Sequence, residues 1–368
     1  MTEPVFRLKK FVAQGLFEKA SAVVPAKEIL PVLKNFQVEV GADSLSVVAT
    51  DMELSVVCHT ELVAVDSPGT VVLPAKKILE IIRESPDGDI EVAVEEGAAR
   101  ISAGGARWLL RLPTGDDYPS IPDTSAVEWT EVPREKFLAA IQAVRGAAAR
   151  DMTRPSLMMI DVSNEKMTAC DGVRFQQTTL AGISLNLQIP VGAVDDLVKL
   201  LKATEVEKIL IGETEFHLVF KVGTDEFVAA KLMATFPDVE ELLLRPALMN
   251  QDTLGVVTKD MVDAVRRVRI NADEDSSAIV LELDKDSCVV VSRDKFGNRA
   301  EEVISAVWEH ASRKVAVNHQ YLLDMLAMHT GTSCTFYLGE DTKSRKSPLM
   351  LKDADTIGIV NQMRLDWA

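Results

Sequence analysis

The 368-residue sequence lacks the features that mark membrane, secreted and metal-stabilised proteins. It contains no run of 18 apolar residues, so no membrane-spanning helix is predicted. The first ten residues show no basic segment followed by an apolar core, which predicts no signal peptide and a cytoplasmic location. The four cysteines form no C-x-x-C pair and are expected to be buried thiols rather than zinc ligands or disulfides. They are Cys58, Cys170, Cys288 and Cys334.

Catalytic motifs are also absent. There is no P-loop, no G-x-G-x-x-G after a strand, no H-E-x-x-H and no G-x-S-x-G, and the five histidines have no metal-ligand spacing. Cys170 lies beside Asp171, which leaves open an enzyme of nucleic-acid metabolism that uses these two residues. No His–Asn partner for the thiol can be assigned. The sequence therefore favours a binding scaffold, without catalytic residues, cofactor or metal, over an enzyme.

Positive charge is scarce in the chain as a whole but not in its predicted helices. Lys and Arg number 40 against 56 Asp and Glu, which gives a net charge of -16. The predicted helical windows 7–20, 75–85, 134–154, 191–203, 259–271 and 318–330 carry +8 together, so the rest of the chain carries -24. If the helices share one face, that face would bind duplex phosphates without reading the bases. No aromatic residues are interleaved with basic ones, so single-strand binding is not expected.

A strand followed by an aspartate and a turn occurs three times. The aspartates are Asp51, Asp171 and Asp294, which lie 120 and 123 residues apart. Aspartate before glycine or a similar residue is typical of turns, so these three predict turn formation rather than metal binding. Pro74 and Pro190 each open a predicted helix, and the segment 236–239 resembles 118–121. The sequence therefore predicts three copies of one repeated structural unit.

Each unit is predicted to be α+β, with two helices and about eight strands. The predicted domains are 1–125, 126–250 and 251–368. The first helix is expected to present Phe11, Val12, Leu16 and Phe17 on one apolar face. A strand is expected over 29–40, and another over 53–65. Because no long flexible linker separates the units, rigid stacking into an arc or ring is favoured over independent domains on a string.

The repeated segments also carry a family resemblance. The sequence is similar to the bacterial DNA polymerase III beta subunit, the sliding clamp, over essentially the whole chain. The matching stretches are 29–33 with 45–54, then 169–175, 236–238 and 363–365. The resemblance implies three DNA-clamp domains per chain, with two chains forming a six-domain ring that has helices inside and sheets outside.

The resemblance implies a function as well. The homodimer would encircle double-stranded DNA without sequence preference and act as a processivity factor. It would tether the DNA polymerase, the clamp loader and repair proteins through their short linear motifs. A clamp-like protein that binds peptides without encircling DNA remains an alternative, as does the enzyme described above.

Three sets of site residues follow from this resemblance. The partner-peptide pocket would comprise Leu157, Cys170, Gly172, Val173, Arg174, Phe175, Pro237, Leu242, Ile359, Met363, Arg364 and Leu365. DNA contact is expected at the loop residues Lys27, Arg150 and Arg154, and the helical pattern adds Lys10, Lys77, Arg145, Lys199, Arg266 and Arg267. At the dimer interface, Trp108 and Leu110 would face Val268 and Ile270.

The sequence departs from the family pattern at the predicted pocket. Val173-Arg174-Phe175 replaces the usual His-Arg-Leu, and Asn361-Gln362 replaces the usual Met-Pro. The segment 366–368, Asp-Trp-Ala, extends past the usual end. These departures predict a divergent clamp with an altered peptide preference.

Overall fold

The computed structural model describes residues 3–27, 30–113, 117–249, 251–341 and 346–365, except for the side chain of Leu242. Within these ranges, no helix combines the length and apolar character needed to cross a membrane. The chain forms two compact units. Unit 1 comprises Met1–Leu138 and Gly192–Lys231, and unit 2 comprises Ala139–Val191 and Leu232–Ala368.

Unit 1 contains two antiparallel sheets. The five-stranded sheet has the order β5-β1-β7-β8-β9 and is built from β1 (Val5–Lys9), β5 (Val63–Ser67), β7 (Asp89–Glu95), β8 (Ala98–Ala103) and β9 (Ala106–Arg111). The eight-stranded sheet has the order β10-β15-β16-β17-β4-β3-β2-β6. Its strands are β2 (Asn35–Val40), β3 (Leu45–Thr50), β4 (Leu54–Thr60), β6 (Gly69–Pro74), β10 (Thr130–Pro133), β15 (Lys208–Glu213), β16 (His217–Val222) and β17 (Asp225–Ala230).

Two helices cover the first part of unit 1. Helix α1 (Lys10–Ala20) buries Leu16 and Phe17, and the Phe17 ring packs edge-on against Phe36 at 5.4 Å between centroids. Phe11 was predicted to share this face, but it is 73% exposed because Ala13 and Ala20 complete the buried stripe instead. Helix α2 (Ala75–Glu84) follows Pro74 as predicted and buries Ile78, Ile81 and Ile82.

Unit 2 is organised by one twelve-stranded sheet with the order β14-β11-β12-β13-β25-β24-β23-β18-β21-β20-β19-β22. Its strands are β11 (Met159–Ser163), β12 (Lys166–Cys170), β13 (Arg174–Thr179), β14 (Leu187–Pro190), β18 (Asp252–Val257), β19 (Ala278–Asp284), β20 (Ser287–Arg293), β21 (Arg299–Trp308), β22 (Arg313–Asn318), β23 (Ser333–Leu338), β24 (Leu349–Lys352) and β25 (Thr356–Val360).

Four of the five remaining helices in the described ranges begin directly after strands, and the fifth follows the π-helical segment Glu240–Leu244. Helix α3 (Arg134–Val144) starts in unit 1 and ends in unit 2, and α4 (Val191–Lys202) lies almost wholly in unit 1. Unit 2 also contains α5 (Arg245–Ala247), α6 (Thr258–Val268) and α7 (His319–Leu326). Asn318 is the N-cap of α7, since its side-chain oxygen accepts from the backbone N–H groups of Gln320 and Tyr321 at 2.9 and 3.2 Å.

Two strand predictions are wrong in detail. Among the described residues 30–40, only β2 is a strand, because the chain turns through a 3-10 segment at Pro31–Lys34. The Asn35 amide stabilises this segment by donating to the carbonyl oxygens of Pro31 and Val32. The stretch 53–65 divides into β4 and β5, which belong to different sheets.

The sheets also run across the predicted domain boundaries. β4 pairs with β17, and β13 pairs with β25. These pairings place strands from neighbouring predicted domains in one sheet. The division at 1–125, 126–250 and 251–368 stays a prediction.

Candidate functional site

The turn between β12 and β13 is built around the carboxylate of Asp171. Its Oδ1 accepts from the backbone N–H groups of Val173 and Arg174, both at 2.9 Å, and its Oδ2 accepts from Arg174 Nε at 2.8 Å. Gly172 has a φ of +91°, a left-handed conformation that glycine adopts without steric cost. Asp171 therefore closes the turn and positions the residues that follow it.

The other two aspartates act in the same way. Asp51 Oδ1 accepts from the backbone N–H groups of Glu53 and Leu54, and Asp294 Oδ1 accepts from those of Phe296 and Asn298. The prediction that they form turns is confirmed. Across the described ranges, no group of three or more His, Cys, Asp or Glu side chains could hold a metal ion.

Cys170 does not have the environment of a nucleophile. Its side chain is buried, and burial raises the pKa of the thiol to about 11, so the thiol is protonated at neutral pH. All four cysteines are free and buried, which confirms the prediction made for them. The enzyme alternative therefore has neither an activated thiol at Cys170 nor an uncommitted carboxylate at Asp171.

Arg174 connects the Asp171 turn to helix α7. Its Nη1 donates to Asp324 Oδ2 at 2.6 Å, and its guanidinium carbon lies 4.0 Å from the centroid of the Tyr321 ring. The side chain is only 13% exposed. Arg174 was expected to be the fixed charge of the peptide pocket, and most of that charge is balanced inside unit 2 by two carboxylates.

The predicted pocket residues divide into a buried floor and an accessible rim. Four of them lie in one buried apolar cluster with Val239, Leu244 and Met350; they are Leu157, Cys170, Phe175 and Ile359. The rim residues include exposed Val173 and Arg364 and half-buried Gly172, Pro237, Met363 and Leu365. The side chain of Leu242 lies outside the described part, as do residues 366–368.

Backbone hydrogen bonds fix the position of the C-terminal segment against the turn. The Asn361 N–H donates to the Val173 carbonyl at 2.9 Å, and the Met363 N–H donates to the Ala316 carbonyl at 2.7 Å. Unit 2 thus brings together the turn after β12, the end of β25 and the segment that leads to Leu365. This arrangement has apolar side chains over a rigid floor, which suits an inserted apolar anchor.

The sequence prediction missed Tyr321 and Asp324. Both lie on α7, three residues apart and so on one helix face, and both contact Arg174. An aromatic residue and an acidic residue at this spacing on a predicted helix are weak evidence that the two contact a common partner residue. Without the fold, nothing connects them to a residue 150 positions earlier in the chain.

The residues predicted to contact DNA differ in how far their charge is already balanced. In unit 1, two of these residues form ion pairs: Lys77 with Glu80 at 3.1 Å and Lys199 with Asp196 at 2.7 Å. Lys10 Nζ donates to the Ser85 carbonyl at 2.5 Å, and Lys27 is exposed. In unit 2, Arg267 forms a bidentate pair with Glu302 at 2.7 and 2.5 Å, and Arg154 Nη1 donates to the Asp171 carbonyl at 2.9 Å. Arg150 is exposed and Arg145 half-buried.

Arg266 resembles Lys27 in being available to a ligand. It is exposed on the last turn of α6, and neither residue makes an ion pair with any described residue. Paired cations attract phosphate less than their number suggests. Weak phosphate contact is therefore expected from Lys77, Lys199 and Arg267.

The predicted interface residues differ in how far they are exposed to another chain. Trp108 and Leu110 are half-buried on β9, which is an edge strand of its sheet, and Leu109 between them is exposed. Val268 was predicted to face them, but it is 2% exposed because it packs in the core of unit 2 as the last residue of α6. Ile270, two residues later, is 79% exposed and can reach another chain.

Comparisons with known proteins connect these features to one family. The model of the DNA polymerase III beta subunit N-terminal domain matches residues 6–122, and that of its C-terminal domain matches residues 249–357. The beta sliding clamp of Pseudomonas putida is 26% identical over 363 residues, which span 94% of this chain and 95% of the relative. The beta sliding clamp homolog GriR of Streptomyces muensis is 27% identical over 328 residues, with 86% and 84% of the two chains covered.

Solved structures agree with the fold. The Bartonella birtlesii sliding clamp bound to griselimycin superposes with a TM-score of 0.88 at 23% identity and covers 99% of this chain and 100% of that one. The Pseudomonas aeruginosa beta subunit superposes with a TM-score of 0.86 at 23% identity, covering 98% and 100%. Since the two domain models together match more than half of the sequence, the chain belongs to the DNA polymerase III beta subunit family.

Proposed function

We propose that the protein is a DNA sliding clamp, a non-catalytic processivity factor that encircles duplex DNA and tethers a DNA polymerase. The observation that carries the proposal is the family match at both ends of the chain, together with a clamp fold along its length. The commitment of Asp171 and Cys170 to structural roles supports a binding function over an enzymatic one. A cytoplasmic location, with access to bacterial DNA, is part of the proposal.

The active form is a ring of two chains joined head to tail. In each contact, the edge of β9 in one protomer meets the surface around Ile270 and β21 in its partner. Residues 299–305 of β21 pair with β20 on one side, and on the other side no described strand pairs with them. Such an open edge can add a strand from another chain.

Both edges present apolar side chains to a partner chain. β9 presents exposed Leu109 between Arg107 and Arg111, and β21 presents exposed Val303 beside Glu301, whose carboxylate is paired with Arg299 at 2.7 Å. The apolar residues would supply affinity at the contact. A homodimer with two identical heterologous contacts follows from this pairing.

Encirclement sets the kind of DNA contact that the protein needs. A ring is retained by its closure, so its phosphate contacts are few and weak, which allows sliding. The paired state of Lys77, Lys199 and Arg267 suits this requirement. Salt-resistant retention is therefore expected on DNA whose ends are blocked.

Short linear motifs of the polymerase, the clamp loader and repair proteins would bind at the rim of the Asp171 turn. Replacing Met363 and Leu365 with alanine together is expected to weaken binding of griselimycin at least about 30-fold, because both apolar rim contacts are removed. Titration calorimetry on the full chain measures the change. The exposed Met233→Ala serves as the matched control and should leave binding unaltered. Equal affinity in the double variant and the control would show that the site lies elsewhere.

A further inference from the structure

Unit 1 contains a cleft of about 300 Å³ that the proposed function does not use. It is bounded by the turn between β3 and β4, by the segment 120–122 and by strands β16 and β17. Its lining includes Met52, Glu53, Ile121, Pro122 and His217. Met52 is 60% exposed although it faces this cleft.

The cleft is built around the same turn as the candidate peptide site of unit 2. The Asp51 carboxylate accepts from the N–H groups two and three residues ahead, as the Asp171 carboxylate does. The Ala230 N–H donates to the Glu53 carbonyl at 2.8 Å, just as the Asn361 N–H donates to the Val173 carbonyl at 2.9 Å. The two turns therefore make matching backbone contacts with the strand paired beside them.

The segment opposite the turn is also equivalent. Residues 120–122 follow Tyr118-Pro119, and in unit 2 Pro237 follows Phe236 at the matching place in the repeat. Tyr118 is anchored in unit 1, since its hydroxyl accepts from the Thr50 N–H at 3.2 Å. The cleft thus occupies, within unit 1, the place that the candidate peptide site occupies within unit 2.

The backbone of Met52 is strained at this position. Its φ is +81°, whereas the equivalent residue in unit 2 is Gly172 with a φ of +91°. A left-handed backbone is unfavourable for a residue with a long side chain, and such strain concentrates at binding sites. Here a conformation that favours glycine holds a large, mostly exposed apolar side chain at the cleft. Because most of the Met52 side chain is exposed, its packing within unit 1 does little to offset the backbone strain.

The charge around the cleft is acidic. Glu53 is exposed, lines the cleft and makes no ion pair with any described residue. Lys231 is neutralised by Glu213 at 2.8 Å, and burial together with Lys231 lowers the pKa of His217, which keeps that ring neutral at pH 7. At the equivalent turn of unit 2 a cation is present instead, since Arg154 donates to the Asp171 carbonyl.

We propose that this cleft is a second peptide-docking site, which binds a short extended segment of a partner protein with an apolar anchor against Met52 and a neighbouring Lys or Arg against Glu53. The inference rests on the proposed peptide site of unit 2 only for the comparison of the two turns. The two sites would select motifs of different charge, so one clamp could hold two partners at once.

The test uses the fluorescein-labelled peptide Gly-Arg-Leu-Phe-Arg-Gly and its charge-reversed counterpart Gly-Glu-Leu-Phe-Glu-Gly, with fluorescence anisotropy on the full chain. Met52→Gly removes the anchor contact and relieves the backbone strain. It is expected to raise the thermal midpoint while weakening the basic peptide at least about tenfold. Glu53→Gln should also weaken the basic peptide, by several-fold, and leave the thermal midpoint unchanged.

The pattern across variants decides between the two sites. With Met363 and Leu365 both replaced by alanine, the basic peptide should bind as it does to the wild-type chain, even if the unit 2 site proves wrong. Three results would overturn the inference: tighter binding of the acidic peptide, unchanged affinity in both Met52→Gly and Glu53→Gln, or loss of binding in the unit 2 double variant alone. Unchanged affinity in both cleft variants would mean that the acidic protein attracts the basic peptide only non-specifically.

Discussion

Ile270→Asp is expected to convert the dimer into a monomer of 40.3 kDa by raising the dimer dissociation constant about 100-fold or more. A carboxylate at this position loses its hydration when the partner chain covers it, and it cannot replace the apolar contact that Ile270 makes with Leu109 in the proposed interface. The 3-10 turn Arg269–Asn271 lies against β21, the open edge that the partner chain is proposed to cover. Because Ile270 is exposed in the single chain, the thermal midpoint of the monomer should not change. Sedimentation equilibrium over a concentration series measures the shift.

A mixing experiment tests the head-to-tail geometry. Leu109→Asp alters the other edge and should give the same monomer. When the two variants are mixed, unaltered Leu109 of one chain can meet unaltered Ile270 of the other, so an open dimer with one intact contact should form. A contact between two copies of the same surface would not be restored in this way. Ile270→Val is the matched control, and a dimer that persists in Ile270→Asp at all concentrations would contradict the interface.

Arg174→Ala is expected to lower the opening free energy of β13 and α7 by about 3 kcal/mol, because it leaves two poorly exposed carboxylates without their cation. The side chains of Asp171 and Asp324 are 14% and 26% exposed, so water replaces little of the lost interaction. The Tyr321 ring loses its stacked guanidinium as well. Hydrogen exchange of the β13 and α7 amides, followed by mass spectrometry, measures the change locally.

Lys199→Ala is the comparison for this effect. Lys199 also pairs with an aspartate, but its side chain is 68% exposed, so a loss of no more than about 0.5 kcal/mol is expected. A further variant that combines Arg174→Met with Asp171→Asn and Asp324→Asn removes the buried charges together and should recover part of the stability. If Arg174→Ala were as mild as Lys199→Ala, the proposed connection between the turn and α7 would be wrong.

The sequence predicted those parts of the fold that depend on local chemistry. The Asp51 and Asp171 turns and the start of α2 after Pro74 involve neighbours a few residues apart, and all were confirmed. It failed where one local signal competed with another. Apolar alternation over 29–40 concealed the 3-10 segment that the Asn35 amide stabilises.

The candidate site shows the same division between local and distant signals. The family resemblance grouped Cys170, Phe175 and Ile359 in the predicted pocket, and the three side chains lie in one buried cluster. The salt bridge from Arg174 to Asp324 spans 150 residues, so only the fold reveals it. Val268 is buried and Ile270 is exposed because α6 ends at Val268. The periodicity of apolar residues in the sequence does not define the end of a helix to a single residue.

The measurement that tests encirclement most directly compares retention on DNA with open and blocked ends. Protein is threaded from the free end onto a linear duplex tethered to a bead, the free end is then blocked with a bound protein, and the bead is washed in high salt. High salt removes phosphate-bound protein but leaves a closed ring in place. The wild-type protein is expected to stay on blocked DNA and to be released when the duplex is cut. Ile270→Asp should be lost from both. Equal release of the wild-type protein from open and blocked DNA would contradict the ring.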